Sequence, residues 1–155
     1  MSYSRIKSYA KINLALNITG KTSKLHKIES VVGFATLHDV ILIKKIQSKK
    51  HIISFKGKFS KNIGPKNTIS KLFKFLEKEK LLTSSKFEIK VNKYIPSKSG
   101  LGGGSMNAAN ILKYLIKKKF INPNKRQLIS ICKSIGSDVA LGLNSTFTIL
   151  KSNNQ

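Results

Sequence analysis

Asp138 is one of only two aspartates in a chain of 155 residues that carries 30 lysines and arginines. It lies in Gly136-Ser137-Asp138-Val139-Ala140, between a glycine and an apolar run, where an unpartnered carboxylate is costly. A carboxylate there either caps a turn or, if a cation holds it ionised, accepts a proton. Lys11, in Ala10-Lys11-Ile12-Asn13-Leu14, is a candidate for that cation, although taken alone it reads as one solvated lysine among 28. The second chemical stretch is Pro96-Ser97-Lys98-Ser99-Gly100-Leu101-Gly102-Gly103-Gly104-Ser105-Met106, which packs four of the chain's ten glycines into five residues. Glycines let a backbone close around a phosphate without Cβ clashes and with φ > 0 where needed. A glycine-rich turn without a ligand is the competing reading. Lys98 inside the stretch and Ser105 at its end favour an anion cradle. The spacing is neither that of Walker A, because no Gly-Lys-Ser/Thr closes it, nor that of a Rossmann fingerprint, because no acidic residue follows where a ribose would need one.

The flanking elements determine whether such a cradle works. Phe87 to Val91 alternates apolar and charged residues, the period of a half-buried strand, and Tyr94 and Ile95 prolong it to Pro96. Ala108, Ile111, Leu112, Leu115 and Ile116 then recur at the spacing of one helix face, with Ser105 expected as the cap. The loop therefore joins a strand to a helix N-terminus, whose unpaired N–H groups and partial positive charge suit a phosphate. The dipole alone is worth roughly 0.3–1 kcal/mol, so several N–H groups and a lysine must act together.

Residues 5–18 alternate as a strand that presents Lys11 and Asn13 side by side, and Gly20 closes it. Val31 to Ile46 is strongly apolar and β-branched, interrupted by Thr36, His38 and Asp39, and Ile52 to Phe55 forms another short strand after the charged Lys49-Lys50-His51, which together read as a strand, a turn and a further strand. His38 and His51 read as structural or solvated. Gly64 to Thr68 caps a helix with Ile69, Leu72, Phe73 and Leu76 on its stripe. Pro123 opens a helix carrying Leu128, Ile129, Cys132 and Ile135, which ends at Gly136. Thr146 to Leu150 reads as a last strand that lacks its neighbour and exposes apolar surface.

The formal charge of +24 permits nucleic-acid binding. Arginine, the residue suited to bidentate phosphate contacts, occurs only at Arg5 and Arg126, so the charge reads mainly as a compositional drift toward lysine. The single cysteine, Cys132, excludes a disulfide framework and a cysteine metal cluster. No apolar signal core or membrane span is present, so a cytoplasmic protein is expected.

The stretch Pro96-x-x-x-Gly100-Leu101-Gly102-Gly103-Gly104-Ser105-x-Asn107-Ala108-Ala109 resembles the ATP loop of the GHMP kinases, the family of galactokinase, homoserine kinase and mevalonate kinase. Lys11 to Leu14, then Leu25-His26, then Gly136 to Val139 are similar in order to the members of that family in the non-mevalonate isoprenoid route. The likeness departs at Leu25, Met106 and Ala140, where those members have an aromatic residue, a serine and a proline. It implies an α+β fold, a mixed β-sheet with helices on one side, as in the GHMP kinase N-terminal domain, here over residues 1–155. It further implies ATP as co-substrate at Pro96 to Met106, Asp138 as catalytic base with Lys11 beside it, and Asn13 and His26 at a cytidine-diphosphate-linked methylerythritol substrate. Mg²⁺ follows from ATP, with Ser105 the best side chain for it. The resemblance implies only the first half of an enzyme, the C-terminal domain being absent or supplied by a separate chain. Neither a nucleic acid nor a membrane is an expected partner. The rival readings are another GHMP small-molecule kinase, a pseudoenzyme that binds ATP without turnover, and a non-catalytic basic module for RNA or the ribosome.

Overall fold

The structure is a computed structural model, and it describes residues 2–21, 26–144 and 148–151. Strand β1 (Ser4–Lys21) and strand β2 (His26–Ile46) form a long antiparallel pair. The remaining elements are β3 (Ile52–Lys56), α1 (Thr68–Lys78), β4 (Lys86–Asn92), α2 (Gly103–Lys117), α3 (Lys125–Ile135), the short α4 (Val139–Leu143) and β5 (Thr148–Lys151). The sheet runs β1-β2-β4-β3, with β3 parallel to β4 and β5 antiparallel to β2. The expected mixed sheet of an α+β fold is present.

Alternation decides which face is covered. Phe87, Ile89 and Val91 of β4 are buried, as are Ile41 and Ile43 of β2, while Glu88 and Lys90 point the other way. Against the buried face pack Ile69, Leu72, Phe73 and Leu76 of α1, Ile111, Leu112 and Leu115 of α2, and Ile131 of α3. Each such side chain contributes about 1.5–3 kcal/mol when fully buried. Cys132 joins this core, and burial pushes its thiol pKa up. Among the described residues no helix is long and apolar enough to cross a membrane.

The strand expected over residues 31–46 is present and begins earlier, at His26, and β1 pairs along it past an irregularity between Tyr9 and Lys11. Two expectations are corrected. Helix α2 is capped by Gly102 in the left-handed region (φ 66°), which leaves Ser105 inside the first turn instead of at the cap. The last strand does not lack a neighbour, since Thr148 to Lys151 pair with Glu29 to Val32; residues 146 and 147 lie outside the described residues. The other two long helices start as their sequences ask. Asn67 and Asn124 both form capping boxes, so α3 begins after Asn124 rather than at Pro123.

Candidate active site

The glycine loop bridges the end of β4 and the start of α2, and β1 runs beside it. The Lys11 backbone N–H donates to the Leu101 carbonyl at 3.0 Å. Its side chain then crosses the helix start so closely that a Cβ on Gly102 would fall 2.6 Å from Lys11 Cγ. Only glycine fits there. The Lys11 ammonium donates to Asn13 Oδ1 at 3.2 Å and lies 3.4 Å from Asp138 Oδ2. Asp138 occupies the cap position of α4, yet its side chain makes no capping bond. The carboxylate, whose side chain is 30% exposed, therefore faces Lys11 and the cleft.

The cleft itself measures about 500 Å³. One wall is the loop from Pro96 to Gly100, the floor is Gly102 to Ser105, and the far wall is Ile63 to Ile69. Lys98 holds a left-handed backbone (φ 61°), as do Gly100 and Gly102. The Ser97 and Ser99 hydroxyls donate to the Phe59 and Pro96 carbonyls and so shape the loop rather than leave it free. Thr68 Oγ1 donates to the Gly104 carbonyl at 2.7 Å, which joins the first turns of α1 and α2. The N–H groups of the first turn of α2 have no acceptor within their own helix and open toward this space. Together they form a cationic concavity suited to a polyphosphate.

Not every expected residue arrives there. The Met106 side chain is packed with Val32 and Leu141, and its N–H is taken by the Gly102 carbonyl, so it does not line the cleft. His26 pairs through its backbone with Lys21; its side chain and Leu25 lie outside the described residues. Ser105 and Asp138 both line the cleft, while the described residues contain no cluster of three or more metal-binding side chains. That donor set fits a Mg²⁺ ion carried in on phosphate oxygens and its own waters.

The group missed from the sequence is Asp39. It is fully buried and accepts hydrogen bonds from the Lys93 ammonium, from Asn107 Nδ2 at 2.9 Å, and from the Tyr94 and Ile95 N–H groups at 2.8 and 2.9 Å. A carboxylate within a strand of apolar residues was the available signal, because such a group needs partners.

The match to known proteins agrees with this geometry. Residues 67–150 match the GHMP kinases N terminal domain, and the chain belongs to that family. It is 57% identical over 153 residues to 4-diphosphocytidyl-2-C-methyl-D-erythritol kinase of Pelagibacter ubique, covering 99% of this chain and 54% of that protein. The protein of the same name from Caldicellulosiruptor bescii is 35% identical over 137 residues, covering 87% of this chain and 47% of that one. The chain thus spans about half the length of these curated relatives. In fold it is similar to a crystal structure of 4-(cytidine 5'-diphospho)-2C-methyl-D-erythritol kinase, with a TM-score of 0.79 at 21% identity over 96% of this chain and 52% of that one. It is also similar to homoserine kinase from Cytophaga hutchinsonii, with a TM-score of 0.66 at 17% identity over 98% of this chain and 49% of that one.

Proposed function

We propose that this chain is the nucleotide-binding half of an ATP-dependent kinase acting on 4-diphosphocytidyl-2-C-methyl-D-erythritol, at its 2-hydroxyl, in non-mevalonate isoprenoid biosynthesis. The observation that carries the reading is the meeting of Lys11 and Asp138, at 3.4 Å, on the rim of the glycine cradle. The names of the relatives supply the substrate. Phosphoryl transfer asks a protein mainly for positioning and for neutralisation of oxygen charge.

In this reading the first-turn N–H groups of α2 and Lys98 hold the ATP phosphates. Asp138 accepts the proton of the attacking hydroxyl as its oxygen bonds to the γ-phosphorus and ADP departs. Lys11 orients Asp138 and faces the charge on the transferred group. Asn13 fixes the Lys11 ammonium and, with His26, belongs to the substrate side. Ser105 would hold Mg²⁺, which when bound neutralises phosphate charge. The remainder of the substrate cleft belongs to a second half, contributed by further sequence or by a separate chain.

The test is ATP binding by this chain by calorimetry, followed by ADP release with the methylerythritol substrate, alone and with any downstream reading frame. Binding of ATP, and turnover that collapses in Lys11→Met, is the expected result. Salt-sensitive RNA retention with no ATP affinity would replace the reading with that of a basic RNA-binding module.

A further inference from the structure

We infer that Asp39 is a positioning residue for the nucleotide loop: through Lys93, Asn107 and two backbone N–H groups it fixes the spacing between the loop and the first turn of α2. The inference rests on the ATP-binding reading given above. Its starting point is that the chain's only two aspartates each hold a lysine against one of two adjacent glycines. Lys11, with Asp138, lies against Gly102; Lys93, with Asp39, lies against Gly103, where a Cβ would fall 3.1 Å from the Lys93 ammonium. The helix start is held by both.

What Asp39 touches decides its role. Tyr94 and Ile95 are the two residues before Pro96, so its Oδ1 holds the chain where it enters the loop. Oδ2 accepts from Asn107, in the second turn of α2, and so holds the chain where it leaves. The Lys93 backbone N–H donates to the Lys56 carbonyl at 2.7 Å, which anchors the same point to β3. A residue needed only for burial on β2 would be apolar, like its neighbours Ile41 and Ile43. Instead a carboxylate spans both ends of a loop whose N–H groups must converge on one anion, and Lys93 and Asn107 themselves reach the cleft. Asn107 Oδ1 is buried without a hydrogen-bond partner, so the asparagine is placed for what its nitrogen does.

The experiment measures ATP and adenosine affinity by calorimetry, together with the urea unfolding midpoint, for the full chain and for Asp39→Asn, Asn107→Leu and the paired variant Asp39→Asn/Lys93→Met. Losing a charge-assisted bond at this point should weaken ATP binding about tenfold or more in Asp39→Asn, with adenosine little changed because it has no phosphates to place. The paired variant removes both buried charges, so it should regain unfolding stability but not ATP affinity. If ATP affinity returns together with stability, or if Asp39→Asn folds and binds ATP as the parent does, Asp39 is merely structural and the inference fails. Should Asp39→Asn not fold, Asn107→Leu decides, since it keeps the ion pair and loses only the tether to α2; unchanged ATP affinity there overturns the inference. A parent chain that does not bind ATP at all would remove the kinase reading itself, and the inference with it.

Discussion

The two lysine–aspartate pairs use the same charges in different solvents. Lys93 and Asp39 have side chains 4% and 0% exposed, and Asp39 receives four donors, which fill the roughly four lone-pair sites of a carboxylate. It has no acceptor site left. Asp138 has one lysine at 3.4 Å, no capping bond and a 30% exposed side chain. It keeps acceptor sites for an incoming hydroxyl. Saturation makes one carboxylate a fixture of the fold, and incomplete satisfaction suits the other to the role of base proposed for it.

The largest expected effect separates them by rate. Asp138→Asn should lower turnover about 10²–10⁴-fold, the usual cost of losing a general base. ATP affinity should stay within about twofold, and stability should fall less than in a variant that strips Asp39 of its cation, because Asp138 is part-exposed although Lys11 is buried. Steady-state kinetics, calorimetry and urea unfolding on one preparation check all three. Turnover near that of the parent would remove Asp138 from the chemistry.

Next comes stability, where the ranking reverses. Lys93→Met leaves Asp39 charged and buried without its cation, which typically costs about 3–5 kcal/mol. Lys11→Met leaves a carboxylate that is itself 30% exposed and can take up water, so it should cost less. Equal unfolding midpoints for the two variants would contradict the solvation difference on which the comparison rests.

The adjacent glycines give a finer separation. Gly102→Ala places a methyl 2.6 Å from Lys11 Cγ on a left-handed backbone, a strain of about 1–2 kcal/mol before any steric shift. It should reduce turnover more than ATP affinity. Gly103→Val instead meets Ile95 and Lys93, at 3.0 and 3.1 Å from the first added atom, and should lose about tenfold or more in ATP affinity. Calorimetry with ATP and single-turnover kinetics distinguish the two, and identical profiles would show that the loop responds as one unit.

How far the sequence reveals these pairs follows from distance along the chain and from chemistry. The glycine loop is legible because its residue types and spacing are local, and Asp138 stands out because aspartate is scarce. Asp39 is equally scarce but reads only as an interruption of an apolar stretch, since its meaning lies in partners 54 and 68 residues away. The cap of α2 is misread for a related reason. Ser105 has the right side chain, but a glycine that can adopt φ > 0 sits three residues earlier and starts the helix there. The mixed sheet is legible from alternation, whereas the start of β2 at His26 depends on its pairing with the far end of β1.

The smallest effect concerns a third charged site, away from the cleft, that tests whether burial alone sets proton affinity. His51 Nδ1 accepts the Phe87 N–H at 3.1 Å, so its proton sits on Nε2, which donates to Glu77 Oε1 at 3.2 Å. The ring packs on Phe73 at a centroid distance of 4.1 Å. Burial lowers the His51 pKa from the ordinary value of 6.5; the Lys86 charge adds to the lowering, and Glu77 opposes it. The folded chain therefore binds this proton less readily than the unfolded chain. The stability it contributes is present above the unfolded pKa, near 6.5, and is lost as pH falls through the folded value. Urea midpoints measured from pH 7.5 down to about 5 should fall, and His51→Gln, which titrates nowhere in that window, should flatten the slope. If the slope persists unchanged in His51→Gln, the proton is taken up elsewhere, and burial of this imidazole does not set the pH dependence of stability.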